Sequence, residues 1–241
     1  MGRTDGPEGT ENNEIPDIPA ITTEQMIDVD RAMVDDYGID LTRMMENAGR
    51  ALASLARTRF LDGDPSGGMG GKRVAVLAGS GGNGGGGRAC ARKLSAWGAS
   101  VEVHLSKPAG EITGVPAEQL VILNHMGVPV HEPAPEPTGP PDRTGADLVI
   151  DALFGYRLQG APRGHAAILI GAPNQSGAPV LSLDVPSGVH ATTGDTPGLA
   201  VIAHATMTLA LPKTGLSAAG AVPLVGELYL ADIGVPPALY A

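Results

Sequence analysis

A chain of 241 residues suits one large domain whose core needs no covalent staples. Its formal charge of −10 and the lack of any Lys/Arg run exclude backbone-directed nucleic-acid binding, and no apolar run nears the ~18 residues of a membrane span. A single cysteine, Cys90, rules out an intramolecular disulfide and a multi-cysteine metal site, and fits a reducing, cytoplasmic setting.

Residues 1–18 are acidic, rich in Gly and Pro and poor in apolar side chains, so they read as a disordered tail without the order of a secretory signal. The folded domain then covers 19–241, with no internal repeat and no second domain. Thr22 and Gln25 make a capping box, followed by Met26, Val29, Met33 and Val34 at helical spacing, and Gly38 ends that helix. A second helix is expected over Leu41–Phe60, with Met44, Met45, Ala48, Leu52 and Leu55 along one side. Asp62–Gly71 reads as a flexible connection.

The period then changes. Arg73–Leu77 is an apolar strand, Gly79–Gly87 a glycine-rich loop, Gly87–Trp97 a helix and Ser100–Leu105 a strand. Next come a helix over Pro116–Met126, a weak strand at Pro129–His131 and a Pro-rich linker, Glu132–Pro141. Leu148–Leu153 is a strand, Gly164–Ile170 lies in a helix, and Val180–Leu183, Thr206–Leu209 and Glu227–Leu230 are further strands. Strands alternating with helices indicate an α/β domain of parallel βαβ units with right-handed crossovers.

Chemistry concentrates where strands end. Glycines after a buried strand allow close approach of backbone to ligand, and the helix that follows offers free N–H groups to an anion such as a pyrophosphate. Gly79, Gly81 and Gly84 satisfy G-x-G-x-x-G, a weak match among so many glycines, and no G-K-[ST] follows to make a P-loop. Glu102 stands near the offset of a ribose-reading acid, but its place in an alternating strand equally lets it face solvent. Asp151 and Asp184 each follow a run of apolar strand residues, a costly place for a charge unless something binds it. With Asn83 and Ser187, Asp151 makes an all-oxygen set suited to a hard cation, and its single formal charge favours a monovalent one. Each acid also has a purely structural reading, as a cap or as a turn acceptor. The six histidines lack metal spacing, and Ser187 is not in a G-x-S-x-G elbow; Lys213, following a strand, has two readings, a contact to an anionic ligand and a surface lysine, of which the second is slightly favoured.

Four segments in this order resemble the NAD(P)H-hydrate epimerases, the YjeF N-terminal-type domain: MMENAGRAL (Met44–Leu52), AGSGGNGGGGRACARKL (Ala78–Leu94), DALFGYRLQG (Asp151–Gly160) and LDVPSGVHATTG (Leu183–Gly194). The resemblance runs from about Ile21 to the C-terminus. It implies a Rossmann-like three-layer α/β/α sandwich with a mostly parallel central sheet and two N-terminal helices. It implies an isomerase that interconverts the epimers of hydrated NADH or NADPH at ring carbon 6 in cofactor repair. A homodimer, one K+ per subunit and a separate ADP- or ATP-dependent dehydratase as pathway partner follow from the same resemblance. By it, Asn83, Asp151 and Ser187 match the K+ ligands. Gly82, Asn83, Gly84, Gly85 and Gly86 match one substrate stretch, and Gly155, Tyr156, Arg157, Leu158, Gln159, Gly160 and Ala161 the other. Asp184 matches the substrate-binding acid, for which proton transfer is a catalytic role. The family loop N-N-G-G-D-G reads here Gly82-Asn83-Gly84-Gly85-Gly86-Gly87, so an amide and an acid are replaced by glycine. That departure leaves open a noncatalytic nucleotide-binding protein on the same fold.

Overall fold

The computed structural model describes residues 18–62, 68–134 and 145–240. The expected tail, apart from Ile18, and most of the Pro-rich linker therefore lie outside the described residues.

Helix α1 (Thr23–Asp35) opens with the expected capping box between Thr22 and Gln25. Asp40 caps α2 (Leu41–Leu55), which runs on into a π-helical turn over Ala56–Phe60. Strand β1 (Arg73–Ala78) feeds α3 (Gly82–Ala96), and β2 (Ser100–Leu105) precedes α4 (Val115–His125) and β3 (Val130–His131). Then follow β4 (Leu148–Ala152), α5 (Gly164–Gly171), the single turn α6 (Pro173–Ser176), β5 (Val180–Leu183), β6 (Ala205–Leu209), α7 (Val222–Val225) and β7 (Glu227–Ala231).

The seven strands form one sheet in the order β3-β2-β1-β4-β5-β6-β7, and every described pairing is parallel, where a mostly parallel sheet was expected. The order reverses direction between β1 and β4, which opens a crevice at their carboxyl ends. Strand alternation divides the core. Val74, Val76, Leu148, Ile150, Leu181 and Leu183 pack with Leu52, Leu94 and Leu123 on the face of α2, α3 and α4. Leu77, Val149, Leu153 and Val180 pack with Leu169 and Ile170 of α5 on the other face. Helix α1 stands apart over the end of the sheet, where Met26, Val29 and Met33 meet Met44, Leu211, Ile233 and Val235.

Helix α3 begins five residues before the expected Gly87 and takes most of the glycine-rich segment into its first turns. Each helical glycine costs about 1 kcal/mol relative to alanine, so these residues need a packing reason. They have one: a Cβ on Gly84 would overlap the Gly79 carbonyl, one on Gly85 would lie 2.5 Å from Met45 Sδ, and one on Gly87 would lie 2.5 Å from Ala152 Cβ. The glycines let α3 sit against the turn, α2 and the sheet at once.

Candidate functional site

At the crevice between β1 and β4 the Gly79 amide donates to the Ala152 carbonyl at 3.0 Å, which ties the turn after β1 to the end of β4. Gly81 supplies no side-chain cap to α3, and the first turn carries no acid. The first of these amides to bond into the helix is that of Gly85, onto the Gly81 carbonyl at 3.0 Å. The amides before it therefore face the crevice with the positive end of the helix dipole. Beneath the turn lies the fully buried Arg88. Its Nη1 donates to the Gly79 carbonyl at 2.9 Å, while Nε and Nη2 have no hydrogen-bond partner among the described residues. Desolvation brings this guanidinium down to about 10, still charged at neutral pH. Helix end and buried cation together give the turn the chemistry of an anion cradle.

A cleft of about 800 Å³ opens over the cradle, within the range of small-molecule sites. Gly81, Gly82, Asn83 and Gly86 form one wall, Gly155, Tyr156, Arg157 and Leu158 another, and Met26, Met44 and Met45 of α1 and α2 an apolar third. Of the expected substrate residues, Gly84 and Gly85 are packed inside α3, and Gln159, Gly160 and Ala161 lie off the cleft wall. Glu102 is not on that wall either; Ser106 and Lys107, just beyond β2, are.

Asp184 and Lys213 meet on the cleft wall. Lys213 Nζ lies 2.5 Å from Asp184 Oδ1, with side chains only 1% and 3% exposed. The expected surface lysine is thus a buried one. Ala210, at φ +63°, turns the chain after β6, and a bridge between Ile21 and Lys213 draws that lysine inward. Its Nζ also donates to the Leu209 carbonyl at 2.6 Å and to Thr208 Oγ1 at 3.3 Å. Asp184 Oδ2 accepts the Tyr156 amide at 2.8 Å. Asp184 itself sits at φ +70°, a left-handed conformation that costs a non-glycine residue free energy and that functional sites retain.

Next to this pair, the Tyr156 hydroxyl donates to Asp30 of α1, and Arg157 Nη2 approaches the same carboxylate at 3.4 Å. Burial raises the Asp30 carboxyl above its ordinary range against the opposing pull of Tyr156 and Arg157. Burial and the Asp30 charge push the Tyr156 phenol up as well. Sequence reasoning missed Asp30, since one polar position on an amphipathic helix carries no signal of a partner 126 residues away.

Asp151 and Ser187 come together as expected. Ser187 Oγ donates to Asp151 Oδ1 at 2.6 Å, and Oδ2 accepts from the Ser187 amide and from Ser182 Oγ, both at 2.8 Å. The Leu153 amide completes the shell at 3.3 Å. All four donors are neutral, and burial raises the carboxyl above its usual range despite them. The Ser187 hydroxyl also accepts the Phe154 amide at 2.9 Å, so it is engaged at both ends. Asn83 turns its amide nitrogen to the Leu183 carbonyl at 3.2 Å. Its Oδ1 faces Gly155 alongside Asp184 Oδ2, the two lying 3.2 and 2.8 Å from where a Gly155 Cβ would stand. Asp151 is a buried carboxylate without a cationic side chain among its hydrogen-bond partners, whereas the Asn83 amide oxygen stands beside Gly155 and Asp184; both are oxygen donors whose chemistry suits a monovalent cation. Ser187 fits it less well through its hydroxyl.

Residues 41–215 match the family described as YjeF-related protein N-terminus. The chain is 46% identical over 226 residues to the NAD(P)H-hydrate epimerase of Dehalogenimonas lykanthroporepellens, covering 92% of this chain and 85% of that one. It is 38% identical over 213 residues to the bifunctional NAD(P)H-hydrate repair enzyme Nnr of Thermofilum pendens, covering 88% of this chain but only 39% of that protein. The crystal structure of yeast ynu0, YNL200c, superposes with a TM-score of 0.66 at 26% identity, over 83% of this chain and 84% of that one.

Proposed function

The chain belongs to the YjeF-related N-terminal family, and we propose that it acts in cofactor repair as an NAD(P)H-hydrate epimerase, with Asp184 and Lys213 at the reacting carbon. The observation that carries this reading is the buried Asp184–Lys213 pair, which faces the same cleft as the anion cradle. The cradle takes the dinucleotide's pyrophosphate and so directs the damaged nicotinamide ring toward the pair.

Ring carbon 6 of the hydrated cofactor carries a hydroxyl beside the ring nitrogen. Its C–O bond breaks as a proton from the Asp184–Lys213 pair turns the departing hydroxide into water. The electron pair on nitrogen forms a C=N+ bond. Water then adds to the opposite face, and its proton returns to the pair, so atoms and charge balance. The Asp184 carboxylate also stabilises the transient cation. Gly86, where the family loop has an acid, removes a negative charge from beside the phosphates.

K+, one ion per subunit, suits the oxygen donors of Asp151 and Asn83, and when bound it supplies the positive charge that buried Asp151 lacks. A homodimer and a separate dehydratase acting on the same damaged cofactor belong to this reading. The bifunctional relative's name, a repair enzyme more than twice as long, supports a paired activity.

Chromatographic separation of the epimers after incubating one purified epimer of hydrated NADH with the protein tests the reading. Acceleration well above the spontaneous rate is expected. Tight binding of the hydrate without acceleration would instead favour the noncatalytic nucleotide-binding protein that Gly86 leaves open.

A further inference from the structure

Glu102 and His104 stand two residues apart on β2, so their side chains share one face of the strand. The parallel register pairs His104 with His131 of β3 and brings the second imidazole to that face. The two rings stack with centroids 4.5 Å apart and planes 15° apart. His104 Nε2 lies 2.9 Å from Glu102 Oε1, and His131 Nε2 lies 3.5 Å from Oε2 of the same carboxylate. Three ligand atoms, one per residue, fall within 4.8 Å of one another. No core residue on the α5 face of the sheet comes from β2 or β3, so this corner lies outside the apolar core of that face.

We propose that Glu102, His104 and His131 bind a divalent transition-metal ion of the zinc class. Two imidazoles and one carboxylate are donors for Zn, Ni or Cu rather than for Mg or Ca, which take oxygen. Tetrahedral zinc with bonds of about 2.0–2.1 Å places its ligand atoms about 3.3 Å apart. The two separations above, each to one oxygen of the carboxylate, bracket that value; the rings are stacked nearly parallel, so the half-exposed His131 must swing out of the stack for its nitrogen lone pair to converge with that of His104 on one ion. The buried His104 is the fixed ligand, and the half-exposed His131 leaves the fourth position to water. The ion would fasten β3, only two residues long, to β2. Ser106 and Lys107, on the cleft wall, follow directly after β2.

The test is calorimetric titration of the untagged full chain with Zn2+, beside thermal unfolding with and without the ion. One equivalent per chain and a rise in Tm are expected. His131→Ala and Glu102→Gln, both at accessible positions, should weaken binding by more than about tenfold, the scale on which even outer partners of a metal act. Both should lose the Tm rise, whereas His125→Ala should retain both effects. Nitrogen chemical shifts of the His104 and His131 rings should move on zinc addition. Wild type and His131→Ala binding zinc equally, or ring shifts that stay put, would overturn the proposal and leave surface histidines binding the ion adventitiously.

Discussion

Asp184 and Lys213 are each costly alone, because a single buried charge lacks the partner that offsets its desolvation. Lys213→Met should therefore lower stability by about 3 kcal/mol. The Asp184→Asn/Lys213→Met double variant should lose less than the sum of the two single variants, as urea unfolding would show; simple additivity would mean that the pair is not coupled. At a temperature where each variant stays folded, either single change should cut the epimerisation kcat by about a hundredfold or more. An Asp184→Asn enzyme at full rate would remove the carboxylate from the mechanism. The acids were legible in the sequence because a charge straight after an apolar strand is costly. The same logic applied to Lys213 in LALPKTG, but Ala210, Leu211 and Pro212 separate the lysine from the strand, and the inward turn at Ala210 is invisible in a linear reading.

At the scale of elements, α3 carries two separable roles. Its free N-terminal amides make the anion cradle, and its glycines make the close packing. Gly82→Ala should change stability by less than about 1 kcal/mol, since the nearest atom to its Cβ is Met45 Cε at 3.9 Å. Gly84→Ala should prevent a native turn, because its Cβ would overlap the Gly79 backbone. Circular dichroism and hydrate binding on the two proteins would separate them, and equal behaviour would refute the packing account. The sequence showed a glycine-rich anion site but placed the helix start five residues late, since glycine favours a loop whenever tertiary contact is left out. Helix α3 is further tied to its neighbours by Glu46 of α2, which pairs with Arg92 and Lys93 and accepts from Gln119 of α4 at 3.0 Å. Desolvation opposes ionisation of Glu46, but the hydrogen bonds from Gln119 and Lys93, with the charge of Arg92, hold its carboxyl below the ordinary value of 4.5. The group thus adds stability above that value and loses it as the pH falls through the lowered one. Glu46→Gln should cost about 1 kcal/mol near pH 7, a gap that closes in acid; a gap constant down to pH 3 would show that the cluster acts by packing alone.

At the scale of the whole molecule, the sheet order explains which parts of the site could be foreseen. Alternating elements predict parallel strands whose carboxyl ends gather ligands, so Asn83, Asp151 and Asp184 were identifiable before any contact was known. Register was not. The meeting of Glu102 and His104 with His131 requires β3 to align on β2, and a search for histidine spacing along one segment overlooks ligands that come from two strands. The link between Asp30 and Tyr156 likewise needs α1 to lie over the sheet end. Asp151 is where the fold as a whole is most exposed to its solution conditions: it joins the end of β4 to β5 through Ser182 and to the following turn through Ser187, yet it carries a buried charge among neutral donors. A cation held there would stabilise this central junction by mass action. Replacing choline chloride with KCl at matched ionic strength should therefore raise the Tm of the native chain. Asp151→Asn should lose that response, while itself costing about 1–3 kcal/mol through a mismatched donor. An equal response to K+ in both proteins would mean that the ion acts elsewhere, and that the oxygen cluster at the end of β4 serves the fold without it.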